Sequence, residues 1–392
     1  MKYKAIIFDF DGTICDTGEG IMKSAKYALD AFGIECDDWR ELSFFIGPPL
    51  LVTFQEKYNQ SPTQADLLVK KYRERYTKIG LYESSLYLGI EKLLKNLKND
   101  GFKLGIASSK PRSFIVELLD KFDISKYFDT VCAVSFKTDC ESKQSIISRC
   151  LKELDESARD TLVVGDRFYD IDGAVENMAD SVGALWGYGT KFEFIEHRAK
   201  FIAEKVEDIE AIALGLYENT EKVQGIFNGN IIKIHLDDIT LCDGSKGSRE
   251  CVDHPGGVGV IGINDDDEVL MVRQFRYPYK ELVYEIPAGK LDKGEEPIDA
   301  GKREFKEECG CIADEYISLG EIYPTPGYTN EIIRLFWAKG LHFDSQNLDD
   351  GELLEVCKIK FDRLIDMIMS GEIKDAKTVA AALKLKLIRE SK

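Results

Sequence analysis

The sequence has no apolar run approaching the roughly 20 residues needed to span a bilayer, so no membrane crossing and no membrane partner is expected. It also lacks basic excess: 52 Lys and Arg against 70 Asp and Glu give a formal charge of −18 and a pI near 4.9. That balance excludes a nucleic-acid backbone as the main partner, a task that needs a basic surface. Small anionic substrates are not excluded, because a metal ion and a few cations can meet them locally. The ten cysteines include no Cys-x-x-Cys pair, and Cys15, Cys132, Cys150 and Cys309 sit in apolar segments, so no disulfide framework is read. Met1-Lys2-Tyr3-Lys4 does not resemble a signal peptide, and reduced thiols in a cytoplasmic protein are the expectation. Internal repeats and low-complexity segments are missing too.

What is present is enough apolar material for more than one core. At 392 residues and 44% apolar composition, with a mean hydropathy of −0.23, the chain exceeds the size at which single cores stop growing. Two domains are expected, residues 1–220 and 221–392. In the first, short apolar runs (3–8, 103–108, 130–134, 161–165, 181–185) alternate with helical spacing at 90–99, 111–122, 143–154 and 171–178. Apolar strands separated by helices predict an α/β, Rossmann-like parallel sheet covered on both faces. Residues 16–84 show only helical periodicity (21–32, 50–58, 63–78) and read as a helical cap. A last helix is expected near 206–216 and a joint at 217–222, without the Gly, Ser or Pro of a loose tether. Beyond it, extended segments at 225–236, 256–263, 268–275, 282–285 and 332–339, with helices at 297–309, 361–370 and 376–388, predict an α+β domain.

The first constellation is Asp9-Phe10-Asp11-Gly12-Thr13, directly after the strand that ends at Phe8. Two carboxylates two residues apart at a strand end point the same way, and Gly12 lets the chain turn beneath a ligand. Such close like charges call for a divalent cation. The arrangement suits phosphoryl transfer to a carboxylate, with Asp9 attacking phosphorus and Asp11 serving as acid and then base. Ser108 at the end of Gly105-Ile106-Ala107-Ser108 can bind phosphoryl oxygens. Lys143, opening a helix, can neutralise nucleophile and phosphate, and Gly165-Asp166-Arg167-Phe168-Tyr169-Asp170 adds two carboxylates. Each alone has a bland reading as a polar turn, a solvated lysine or a helix N-cap. Four in order at the carboxyl ends of parallel strands do not, because open α/β sheets bind ligands there.

Residues 1–215 thereby resemble the haloacid dehalogenase superfamily, and within it the phosphoglycolate phosphatase-like 5′-nucleotidases. The resemblance rests also on Phe45-Ile46-Gly47-Pro48-Pro49-Leu50, Ala107-Ser108-Ser109-Lys110-Pro111 and Trp186-Gly187-Tyr188-Gly189. It implies Asp9 as nucleophile, Asp11 as acid and base, Ser109 beside the substrate, and magnesium on Asp9, the Asp11 carbonyl and Asp166 with Asp170 nearby. The approach to Lys143, Thr138-Asp139-Cys140-Glu141-Ser142, is more acidic than that subgroup leads one to expect.

The second constellation runs from Gly289 through Glu295 to Arg303-Glu304-Phe305-Lys306-Glu307-Glu308-Cys309-Gly310-Cys311. Glu304, Glu307 and Glu308 share one helix face, a self-repelling set unless hard cations bind it. Phe305 faces the core and Arg303 braces Glu295. The whole spacing fits the Nudix signature at all its fixed positions. A chance match at roughly 7% usage per residue is on the order of 10⁻⁸ per starting position. The flanks Val283-Tyr284-Glu285-Ile286-Pro287-Ala288 and Pro324-Thr325-Pro326-Gly327-Tyr328-Thr329-Asn330-Glu331, with Asp375-Ala376-Lys377-Thr378, resemble ADP-ribose pyrophosphatases. This implies metal on the Ala288 carbonyl, Glu304 and Glu308, with Glu307 close by. Arg276, Pro326 and Gly327 would hold ADP-ribose, and Glu352 or Asp350 on a late loop would assist the attacking water. It also implies a homodimer formed through the strands before Gly256.

The expectation is therefore a bifunctional hydrolase using Mg²⁺, or Mn²⁺, in both domains. Its partners would be small phosphorylated metabolites: ADP-ribose, AMP, sugar phosphates. A nucleotide sensor with inactive heads is the competing class. Intact Asp9, Asp11, Asp166, Glu304, Glu307 and Glu308 argue against it.

Overall fold

The protein is described by a computed structural model over residues 3–135, 141–348 and 353–391. The chain divides into two compact units, Met1–Asn219 with Thr240–Ser245, and Thr220–Ile239 with Lys246–Lys392.

The first unit begins with β1 (Ala5–Phe8), every residue of which is buried. A two-residue ladder, β2 (Cys15–Asp16) on β3 (Ser85–Leu86), marks where the chain leaves and re-enters the core. Between them lie α1 (Gly18–Ala31), α2 (Leu50–Tyr58) and α3 (Pro62–Tyr76), the helical cap that periodicity predicts. After α4 (Ile90–Asn99) come β4 (Lys103–Pro111), α5 (Arg112–Lys121), β5 (Thr130–Val134), α6 (Lys143–Leu154), β6 (Thr161–Gly165), α7 (Phe168–Glu176) and β7 (Asp180–Ala184). The unit closes with α8 (Lys191–Glu196), β8 (Phe201–Ala203) and α9 (Asp208–Leu214). The sheet order is β5-β4-β1-β6-β7-β8, all parallel. Alternate residues of β1 feed two cores: Ile6 and Phe8 pack with Leu97, Ile115 and Ile209, while Ala5 and Ile7 pack with Ile147, Cys150 and Ala174. The chain winds from β1 outward to β5 and then to the other side through β6, so the strand order reverses at β1. A crevice at the carboxyl ends is the consequence.

In the second unit β9 (Glu218–Asn228), β10 (Lys233–Leu241) and β11 (Lys246–Asp253) form a three-stranded sheet. Here one expectation fails. The run 225–236, read as one strand, is a hairpin that turns at Asn230-Ile231, with Gly229 N–H donating to the Ile232 carbonyl. The Gly229-Asn230 step within the run is the turn signal that the flanking apolar residues concealed. A mixed seven-stranded sheet follows: β12 (Gly257–Ile263), β13 (Glu268–Arg276), β14 (Glu281–Glu285), β15 (Ala288–Lys290), β16 (Cys311–Ile322), β17 (Ile333–Phe343) and β18 (Leu354–Lys360). One face packs Val258, Val260, Leu270 and Phe336 against Ala300 and Phe305 of α10 (Pro297–Cys309). The other packs Ile261, Val269 and Met271 against α11 (Phe361–Met369) and α12 (Ala376–Glu390). Among the described residues no helix is long and apolar enough to cross a membrane, and the described cysteines are all free.

Phe305 is fully buried, its ring lying where a side chain at Gly262 would otherwise sit. Phe305→Ala should cost about 3–5 kcal/mol in urea unfolding followed on the second unit. A loss below about 1 kcal/mol would contradict this packing.

Candidate active sites

In the first unit the crevice at β1, β4 and β6 gathers the expected carboxylates. Asp9 follows β1 directly, donates its N–H to the Val164 carbonyl at 2.8 Å and is 7% exposed. Asp166 follows β6, and Asp170 lies in the first turn of α7; both are buried. One carboxylate oxygen from each of Asp9, Asp166 and Asp170 lies within 4.8 Å of the others. Backbone and hydroxyl donors fix the outer two: Tyr188 N–H and the Thr13 hydroxyl donate to Asp166 at 3.0 and 3.3 Å, and Arg167 N–H donates to Asp170 at 3.1 Å. Gly12, with φ +81°, makes the close approach possible, since a Cβ there would stand 2.1 Å from Asp166 Oδ2.

Lys143 opens α6, a position where the helix dipole disfavours a cation. The carboxylates hold it there. Its Nζ lies 2.8 Å from Asp9 Oδ1 and 2.6 Å from Asp170 Oδ1. Burial pushes the Asp9 carboxyl up, Lys143 pulls it back and Asp170 raises it again, leaving it at about 6. Burial, then Asp170 and Asp9, also push Asp166 well above the ordinary carboxylate range. One lysine thus does not balance three carboxyls. An all-oxygen donor set with surplus negative charge fits a hard divalent cation.

Ser108 is buried at the point where the β4–β5 register shifts, which turns Ser108, Ser109 and Lys110 towards the crevice. These residues line it with Asp9, Lys143 and Asp170. Lys110 was not among the site residues expected from the sequence. Its Nζ donates to both Asp11 oxygens, at 2.9 and 3.2 Å, and to the Tyr76 hydroxyl of cap helix α3. The Thr17 hydroxyl also donates to Asp11 Oδ1, at 2.6 Å. Asp11 lines the same crevice as Asp9, its carboxylate gripped by a core lysine that also reaches the cap. The available signal was an uninterrupted strand ending in Ser-Ser-Lys. A wider cavity beyond Lys110 is lined by Phe45, Pro49, Tyr72, Tyr76 and Phe114.

In the second unit α10 carries the acidic set. Pro297 begins it and Gly310, in the left-handed region at φ 58°, ends it. Glu308 is 1% exposed and accepts the Ala288 N–H at 2.9 Å. Gly289 must be glycine, since its Cβ would stand 1.9 Å from the Glu304 carboxyl. Arg303 donates to both Glu295 oxygens at 2.9 and 3.0 Å, as expected of a brace. It also reaches Glu304 and Glu307 at 2.8 and 3.0 Å. A single guanidinium faces two glutamates of its own helix and Glu295 before it, again an oxygen-rich set suited to a hard cation.

Arg276 is partly exposed and already paired. It forms a two-pronged pair with buried Glu285 at 2.6 and 2.7 Å, and Lys377 joins from α12. Burial would raise the Glu285 carboxyl, but Arg276 and Lys377 outweigh it and hold it below its ordinary value. Arg276 still lies near enough to feel Glu308. Pro326 and Gly327 stand exposed in a turn whose end, Thr329, bridges to Val252. Asp350 and Glu352, like Thr138 to Cys140, lie outside the described residues.

Family comparison agrees with this geometry half by half. The haloacid dehalogenase-like hydrolase model matches residues 6–184, and the NUDIX domain model matches residues 253–382. An ADP-ribose pyrophosphatase of Bacillus subtilis (strain 168) is 37% identical over 174 residues, 44% of this chain and 94% of that protein. The chain belongs to both families. A 5′-nucleotidase of Pseudomonas aeruginosa is 35% identical over 198 residues, 50% of this chain and 90% of that protein. The crystal structure of a predicted phosphatase from Clostridium acetobutylicum superposes with a TM-score of 0.53 at 36% identity, covering 55% of this chain and 99% of that one. The protein is a hydrolase, with a haloacid dehalogenase-like head and a NUDIX head.

Lys110 and Asp11 form a pair whose side chains are 4% and 12% exposed. Lys110→Met strands a buried carboxylate and should cost about 3–5 kcal/mol in urea unfolding of the first head. Tyr76→Phe, which removes one acceptor, should cost about 1 kcal/mol. Equal, near-zero costs would show that this link does not hold core and cap together.

Proposed function

We propose that the first head is a phosphomonoesterase working through an aspartyl-phosphate and the second a pyrophosphatase that cleaves ADP-ribose to AMP and ribose 5-phosphate. The observation that carries the first is the convergence of Asp9, Ser108, Lys143, Asp166 and Asp170 at the ends of neighbouring parallel strands. An Asp9 oxygen attacks phosphorus as the ester P–O bond breaks, and Asp11 gives its proton to the leaving alkoxide. Asp11 then takes a proton from water, whose oxygen attacks the acyl phosphate, and phosphate and Asp9 are released. Ser108 and Ser109 hold phosphoryl oxygens, and Lys143 offsets their charge. Asp9, the Asp11 carbonyl and Asp166, with Asp170 nearby, would hold Mg²⁺, which spreads the charge of the transferring group. Mononucleotides are the favoured substrates, since the aromatic cavity beside Lys110 suits a base and the Pseudomonas relative is named a 5′-nucleotidase.

In the NUDIX head, the Ala288 carbonyl, Glu304 and Glu308, with Glu307 beside them, would hold the metal. Glu307, or Glu352 or Asp350, would take the proton of the water that attacks the pyrophosphate. ADP-ribose is proposed from the Bacillus relative's name and the flanking segments. Arg276, with Pro326 and Gly327, would border the substrate, Arg276 keeping its pair with Glu285. The exposed Val223, Ile226 and Phe227 of β9 support a homodimer through this sheet. Domain limits of 1–220 and 221–392 and a cytoplasmic location complete the reading.

The heads should fail independently. With Mg²⁺, Asp9→Asn should lower phosphate release from AMP by several orders of magnitude while ADP-ribose is still cleaved. Glu308→Gln should do the reverse, and wild type should prefer ADP-ribose to nucleoside triphosphates. Loss of both activities from either change in a folded protein would end the two-site reading. A triphosphate preference would end the ADP-ribose assignment alone.

A further inference from the structure

Neither hydrolytic mechanism uses the polar residues of the sheet β9–β11. His235 and Asp237 alternate along β10, as do Cys251 and Asp253 along β11, and the pleat places alternate residues of a strand on one face. One ligand atom each from His235, Asp237 and Cys251 lies within 4.8 Å of the others. His235 Nδ1 stands 2.6 Å from Asp237 Oδ1, and Cys251 Sγ 3.9 Å from Asp237 Oδ2. The other imidazole nitrogen, Nε2, is 3.7 Å from Asp253 Oδ1. Asp253 is itself oriented by the Asn330 amide, which donates to it at 2.7 Å. The side chains of His235 and Asp237 are 20% and 13% exposed, so the group is sheltered yet reachable.

Donor chemistry separates this group from both hydrolytic centres. Those offer oxygen alone and suit a hard ion. This one offers imidazole nitrogen, thiolate sulfur and carboxylate oxygen, the mixture that selects zinc or a similar borderline ion. Tetrahedral zinc, with bonds of about 2.0–2.3 Å, sets its ligand atoms roughly 3.3–3.8 Å apart. The Cys251–Asp237 spacing of 3.9 Å is already close to that size. The His235–Asp237 contact must open by about 1 Å, which a side-chain torsion supplies. The sheet also has cause to use a cross-link. No residue of β9 is buried, and Ile239 is the one buried residue of β10. A sheet with so little apolar burial gains from a metal tie between strands.

We propose that His235 Nδ1, Asp237 and Cys251 form a zinc-type site that ties β10 to β11, with Asp253 orienting the opposite imidazole nitrogen. The three ligands come from two neighbouring strands, so an ion bound there, with water completing its tetrahedron, holds β10 against β11.

The test is Co²⁺ titration of the full chain, first stripped with a chelator, then kept in a non-thiol reductant and excess Mg²⁺. One equivalent should produce a thiolate-to-cobalt charge-transfer band with tetrahedral ligand-field absorption, and Zn²⁺ should bleach both. Cys251→Ser should abolish the charge-transfer band, and Cys357→Ser should keep it. His235→Asn should weaken binding at least tenfold, the lower end of what loss of an outer-shell partner alone costs. ADP-ribose cleavage by each variant checks its folding. If Cys251→Ser does not fold, the His235→Asn titration decides. The absence of a thiolate–cobalt band, or a band unchanged in Cys251→Ser and His235→Asn, would overturn the site and leave an ordinary His–Asp hydrogen bond.

Discussion

Carboxylates held together against their own repulsion are the constraint on which both heads depend. In the first, three buried aspartates converge on a single lysine, and two of them are pushed above their ordinary range. In the second, three glutamates occupy one helix face with one arginine between them. Neither cluster gains stability from its position. Each costs free energy that the surrounding sheet and helices must cover, which is the usual sign that a group of charges serves a ligand.

The fold covers that cost by rigid placement. Asp9 is locked by the ladder of β1 on β6, Asp166 by the Tyr188 N–H and Asp170 by the N-terminal turn of α7. Glu308 is locked by the Ala288 N–H and Glu304 by its close approach to Gly289. Lys143 at a helix start is locally unfavourable and becomes sensible only beside Asp9 and Asp170. Local rules broken at fixed points are how these sites announce themselves.

That also explains what was legible in the sequence. The acidic residues of the first head stand at the ends of buried strands, so apolar runs locate them. The α10 set is legible because its face follows from helical spacing alone. Lys110 was missed because its partner Tyr76 lies 34 residues away on the cap, a distance no local pattern encodes. The pairing of Arg276 with Glu285 and Lys377 is not legible locally, because it comes through strand pairing and a later helix. The hairpin turning at Asn230-Ile231 looks like one strand because apolar residues flank it on both sides. Strand β16 went unread for a related reason: its burial is broken rather than continuous, so no apolar run marks it.

The most direct measurement of the central claim is thermal unfolding of the full chain with chelator and with Mg²⁺, comparing wild type with Asp166→Asn and with Glu304→Gln. If carboxylate repulsion is the cost that a cation relieves, each substitution raises the melting temperature of its own head in chelator. Adding Mg²⁺ should then raise both wild-type transitions and leave the substituted head behind. A wild type indifferent to Mg²⁺, with both substituted proteins less stable in chelator, would contradict the account.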